Sequence, residues 1–298
     1  MKVSAKLFCL FIPLFYALAA QGSTPGVPVP EEGEVKVSAD LLRSDVEFLS
    51  DTLCAGRATG TRGAVEAAAY ICRRLVSAGY EPVLQSFRVD GGRVGRNILA
   101  CAPGLPRKTL VVMASYDGLG VLDGRLYPGA DSNASGAAAL LSLAARLKDR
   151  RDVVFVFLDG HNANLAGASH FLESLGGARP SLVVNLDILG STLAPVDAYW
   201  KDYLIALGAE RYARSFASCN SGLQLHLYYD YYRSRSFTDM FYRRIGDHHF
   251  FVEKGIPTVM FTSGITMGTN RPTDTAATLD YEVFSRRVEF IARFLETL

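Results

Sequence analysis

From Ser38 onward the chain alternates between two hydrophobic patterns. Leu41, Leu42, Val46, Phe48 and Leu49 recur at the spacing of a helix that buries one side, and a second helix is predicted from about Gly63 to Ala78. Gly79 is its natural stop, since glycine readily takes the left-handed conformation that ends a helix. Residues 109–114, 153–158, 182–189 and 258–261 are apolar runs of strand length. Helical stretches follow at 134–147, through Ala168, Phe171 and Leu172, and at the end of the chain, where Phe284, Val288, Ile291 and Leu295 form one stripe. Strands that are apolar throughout are covered on both faces. The pattern therefore predicts an α/β fold, a three-layer sandwich with a mostly parallel central sheet and helices on both faces.

The first residues follow a different rule. Lys2 and Lys6 flank the start of an apolar run from Leu7 to Leu18 that ends in Ala17-Leu18-Ala19-Ala20, the form of a signal peptide cleaved after Ala19 or Ala20. Residues 21–36, rich in proline and glycine, read as a flexible leader, and 37–298 as a single folded domain. The expectation is an exported chain, periplasmic or extracellular, with no transmembrane span after cleavage. A net charge of +1 and scattered arginine pairs exclude a nucleic-acid binder, which would present a clustered basic face. Cys54, Cys72, Cys101 and Cys219 match no zinc spacing, and one disulfide among them stays open.

In a sheet of this kind ligand sites gather beyond the carboxyl ends of the strands. That places interest on Ser115-Tyr116-Asp117, Asp159-Gly160-His161-Asn162, Asp187, and the loop from Gly129 to Gly136.

Six ordered blocks, from about residue 40 to the end, resemble the co-catalytic zinc aminopeptidases, the family of secreted leucine aminopeptidases, glutamate carboxypeptidases and glutaminyl cyclase. Residues 56–63 (GRATGTRG) resemble G-R-x-x-G-[ST]-x-G, and 127–136 (YPGADSNASG) resemble Y-x-G-A-D-D-N-A-S-G. Residues 159–171 resemble D-G-E-E-x-G-L-x-G-S-x-x-F, 185–190 (NLDILG) resemble N-x-D-M-x-G, 247–257 resemble D-H-x-x-F-x-x-x-G-I-P, and 270–275 (NRPTDT) resemble H-x-P-x-D-T. The resemblance implies two zinc ions sharing a carboxylate, with a glutamate taking a proton from metal-bound water.

Carried over position by position, those roles fall on altered residues. The histidine of H-x-D falls on Ser115, the bridging aspartate on Ser132, the general-base glutamate on His161, the glutamate ligand on Asn162 and the last histidine on Asn270. Only Asp187 keeps a ligand of the expected type, while Asp117, Asp131, His248 and Asp274 stand at supporting or pocket positions. Changing a mere supporting partner costs roughly 10–100-fold in metal affinity, so losing four direct ligands costs on the order of ten thousand-fold or more. A single zinc of the glutaminyl cyclase kind would need Ser132, Asn162 and Asn270, and fails likewise. The expectation is a catalytically silent member without cofactor, binding a peptide or protein, with no catalytic residue and a neutral, hydrogen-bonded His161. The alternative is a zinc-dependent exopeptidase remodelled around His161, Asp131 and Asp187. A serine hydrolase using Ser115 or Ser132 lacks a G-x-S-x-G elbow.

Overall fold

The computed structural model describes residues 37–102, 109–194, 196–197, 199–231 and 233–298. The signal-peptide and leader segments lie outside the described residues.

The chain opens with α1 (Ala39–Ser50), capped by the Ser38 hydroxyl, and α2 (Arg62–Ser77), capped by Thr61. Strands β1 (Val83–Arg88) and β2 (Val94–Cys101) form a hairpin, followed by β3 (Leu110–Ser115) and a small separate hairpin of β4 (Gly120–Leu122) and β5 (Arg125–Tyr127). A wide turn at Ala130–Ser135 leads into α3 (Gly136–Arg146), then β6 (Val153–Leu158), α4 (Ala166–Ser174) and β7 (Leu182–Leu186). The remainder is β8 (Tyr203–Leu207), α5 (Ala213–Cys219), β9 (His226–Tyr228), α6 (Arg235–Arg244), α7 (His249–Glu253), β10 (Thr258–Thr262) and α8 (Tyr281–Glu296).

Eight strands form one mixed sheet in the order β1-β2-β6-β3-β7-β10-β8-β9. The centre, β6-β3-β7-β10, is parallel, as the apolar runs predict; the antiparallel pairings β1-β2, β2-β6 and β10-β8 lie outside it. The two faces separate by residue parity, because successive strand side chains point to opposite sides. Val112, Ala114, Phe155, Phe157, Val184 and Phe261 join α1, α2, α3, α5 and α8 in the larger core. Val111, Met113, Val154, Val156 and Val183 meet Ala168 and Phe171 of α4 and Phe251 of α7 on the other side. Tyr203, Ile205, Leu207 and Met260 continue that second face against Tyr231 and Phe241.

Two boundaries carry physical information. The run 182–189 ends as a strand at Leu186 because Ile188 turns out of the sheet at φ +56°. That strained turn is held by Asn133 Oδ1, which accepts the Ile188 N–H at 2.9 Å, and by Ser263, whose N–H donates to the Ile188 carbonyl at 2.6 Å. Gly167, in the first turn of α4, has no room for a side chain: a Cβ would overlap the Asp159 carbonyl oxygen and Asn97 Oδ1. Gly167→Ala should therefore cost about 3 kcal/mol in urea unfolding, by forcing the helix away from the end of β6. The disulfide left open by the sequence is absent at Cys54, Cys72 and Cys219, which are thiols; burial pushes Cys54 up to about 11.

Candidate functional site

The sheet delivers the singled-out residues to one end. Ser115 closes β3 and Asp117 follows it; His161 and Asn162 follow β6; Asp187 follows β7; Asn270 and Asp274 lie in the loop after β10. Hydrogen bonds sort them into two groups.

In the first, Asp117 holds the loop after β6. Its Oδ1 accepts the His161 N–H at 2.9 Å, and its Oδ2 accepts the Asn162 N–H at 3.0 Å and the Asn162 amide at 3.2 Å. The His161 ring turns the other way, with Nδ1 2.9 Å from Oδ2 of Asp247, just before α7. Behind them Asp159 accepts from the Thr59 hydroxyl at 2.8 Å and from the Arg96 N–H at 2.9 Å; burial and the neighbouring Asp117 push it up to about 6.

In the second group Asp131 Oδ1 accepts the N–H groups of Gly190 (2.8 Å) and Ser191 (3.2 Å). Asp274 accepts those of Asp131 (2.7 Å) and Ser132 (3.0 Å). Burial, then the adjacent Asp274, push Asp131 up to about 7. Asn133 joins both halves: its amide donates to the Ser115 carbonyl and hydroxyl, each at 3.2 Å, and to the Leu186 carbonyl at 3.1 Å.

Electrostatics bear on one expectation, that of a neutral His161. Burial alone would lower its pKa, but the charge and hydrogen bond of Asp247, with Asp187 and Asp117 nearby, outweigh it and push it up to about 10. These carboxylates favour the imidazolium over the neutral ring, and the His161 side chain is 29% exposed. Burial raises the Asp187 carboxyl while His161 pulls it back down.

Other residues join neither group. His248 is fully buried, Nδ1 3.3 Å from the Asn185 amide and beside the Tyr242 ring; burial holds it down at about 4. Asn270 is exposed on a turn at φ +59°. Much of the aromatic stretch after Tyr228 packs inward: Tyr231 and Phe241 are buried and stacked at 4.6 Å, and Tyr242 donates to the Thr258 carbonyl. Asp247 was not singled out from the sequence, although it lies inside the D-H block, because nothing local connects it to a histidine 86 residues away. Among the described residues no helix is long and apolar enough to cross a membrane, and no three His, Cys, Asp or Glu side chains are grouped as metal ligands.

This fold and the residues gathered at its strand ends point to a class. The profile of peptidase family M28 matches residues 97–295, and the chain belongs to that family. Among curated proteins it is similar to leupeptin-inactivating enzyme 1 of Streptomyces exfoliatus, 28% identical over 201 residues, 63% of this chain and 43% of that one. It is also similar to the alkaline phosphatase isozyme conversion protein of Escherichia coli K12, 27% identical over 165 residues, 46% of this chain and 48% of that one. The chain thus spans less than half the length of these relatives. Among solved structures, a zinc aminopeptidase from Bacillus subtilis superposes with a TM-score of 0.69 at 14% identity, covering 91% of this chain and 96% of that one. Porphyromonas gingivalis glutaminyl cyclase superposes with 0.67 at 19% identity, covering 88% and 98%. At these identities the superpositions establish the shared fold.

Proposed function

We propose that this chain is an exported M28-fold protein that binds a peptide or protein in its strand-end pocket without metal-dependent hydrolysis. One observation carries the reading: where the resemblance places ligands, the side chains present are hydroxyls and amides, several already committed to other bonds. The Ser115 hydroxyl receives the Asn133 amide, and the Asn162 amide is given to Asp117. Zinc selects imidazole, thiolate and carboxylate over such neutral oxygen donors. Of the five positions, Asp187 alone offers a carboxylate. This donor set does not fit the zinc pair of the family. The position of the general base carries His161, which as an imidazolium has no lone pair with which to take a proton from water.

The test is a zinc assay on dialysed protein together with release of fluorophore from aminoacyl substrates, with and without added zinc. The expected result is no stoichiometric zinc and no chelator-sensitive turnover. Stoichiometric zinc with turnover abolished by chelator would establish the remodelled exopeptidase instead. Turnover indifferent to chelator but lost in Ser132→Ala would establish a serine hydrolase.

A further inference from the structure

Charge is unevenly distributed over the surface away from the strand-end site. The chain carries 31 basic and 30 acidic residues, yet residues 209–215 and 233–245 together hold six arginines against Glu210 and Asp239. Arg211, Arg214, Arg233, Arg235, Arg243 and Arg244 are all exposed. The fold brings the two segments to one region: the charges of Arg211 and Arg243 both act on the Tyr242 hydroxyl, which donates to the Thr258 carbonyl at 2.6 Å. Arg233 pairs with Asp197 at 3.2 Å and Arg243 with Asp239 at 3.4 Å. Among the described residues, no carboxylate pairs with Arg211, Arg214, Arg235 or Arg244.

The helix α6 carries most of this charge and is barely packed: of its ten residues only Phe241 is buried. Phe237 rests on Tyr231 and Phe241 and is still 37% exposed, and Ile245, directly after the helix, is 44% exposed. Phe237 and Arg244 stand seven positions apart, close to two turns, so they share one flank. Apolar side chains are thus set among guanidiniums along a helix lying on the surface. Guanidinium groups meet phosphate through paired N–H bonds, and apolar side chains gain by leaving water. A phospholipid surface offers phosphate and hydrocarbon together within the depth an interfacial helix reaches, about 5–10 Å. A nucleic acid offers phosphate with no hydrocarbon for Ile245.

We propose that the exposed side of α6, with Arg211 and Arg214, docks the protein on a membrane surface rich in anionic phospholipid. The contact is peripheral, since among the described residues no helix is long and apolar enough to cross a membrane. It is independent of whether the strand-end site holds metal. Each arginine without a carboxylate partner strengthens such a contact about fivefold at low salt, and the attraction fades as ionic strength rises.

The experiment is co-sedimentation of the chain, as recovered after export, with vesicles of phosphatidylcholine alone or mixed equally with phosphatidylglycerol. At low salt the mixed vesicles should bind at least about tenfold tighter, and most of that preference should vanish at about 0.5 M salt. Arg235→Gln together with Arg244→Gln should weaken binding to the mixed vesicles about 25-fold, whereas lysine at both positions keeps the charge and should stay within about threefold of wild type. Ile245→Ser should weaken binding about threefold and leave the salt dependence unchanged. Arg88→Gln, on β1 at the far edge of the sheet from β8 and β9, should change nothing. All the substituted side chains are exposed, and melting temperatures equal to wild type confirm that each variant is folded. The proposal is overturned if both vesicle types bind equally or if the glutamine pair binds like wild type. It is also overturned if a DNA duplex binds as tightly as the mixed vesicles while Ile245→Ser affects neither, which would mark a general polyanion surface.

Discussion

Replacing Arg57 by methionine is expected to remove about 4 kcal/mol or more of folding free energy. Arg57 is fully buried, and its guanidinium is distributed over four backbone carbonyls: Tyr116 through Nε, Leu49 and Pro128 through Nη1, and Gly129 through Nη2. These carbonyls belong to the end of α1, the turn after β3 and the segment entering the 130–135 turn. One side chain therefore ties together three stretches that have no ladder in common. Methionine fills much of the volume and satisfies none of the acceptors, each of which costs about 1–3 kcal/mol when buried without a partner. Since a domain has only about 5–15 kcal/mol to lose, the variant should be marginal at growth temperature. Lysine restores the charge but not the planar fork, and should recover less than half of the loss. Urea unfolding of both variants measures this, and a loss below about 1 kcal/mol for methionine would refute the role.

Asp131→Asn should do the opposite, and only on the alkaline side. Asp131 titrates from 3.8 unfolded to about 7 folded, because it is buried and lies beside Asp274, with Arg287 only partly compensating. The folded state therefore holds the proton more tightly. The stability this contributes is complete below about pH 4 and is lost as pH rises toward 7. A shift of that size corresponds to about 4 kcal/mol as an upper bound. Asparagine preserves the oxygen that receives Gly190 and Ser191, and puts an amide where Oδ2 now lies buried without a partner. Allowing about 1 kcal/mol for that amide, the variant should be stabilised by about 1–3 kcal/mol at pH 8 and be neutral or slightly worse below about pH 4. His161, with a folded pKa of about 10 against 6.5, also loses stability as pH rises, but it does so equally in both proteins and cancels from the difference. A difference independent of pH would disprove the assignment to Asp131.

Both predictions concern residues that the sequence displays without explaining. Arg57 and Asp131 stand inside recognisable blocks, yet what they bond to is spread across the fold. The Asp131 partners are about 60 residues away, and Asp274 reaches back 143 residues to the Asp131 N–H. Exposed and irregular strands were harder to read than buried ones. Residues 153–158 match β6 to the residue because every side chain is buried and the run is unbroken. β1 lies at the sheet edge with most of its side chains exposed, and β9 is three half-buried residues, so neither produces a distinctive pattern.

The sequence by itself determined the layered α/β architecture, the end of the sheet where the candidate residues gather, and which chemical groups stand at the positions that the family resemblance picks out. Those are consequences of hydrophobic periodicity and residue identity, which are local properties. Only the tertiary structure showed that His161 is surrounded by groups that favour its charged form, because Asp247, Asp187 and Asp117 are brought to it from distant segments. Charge state depends on distances between carboxylates and on burial, and neither exists until the chain has folded.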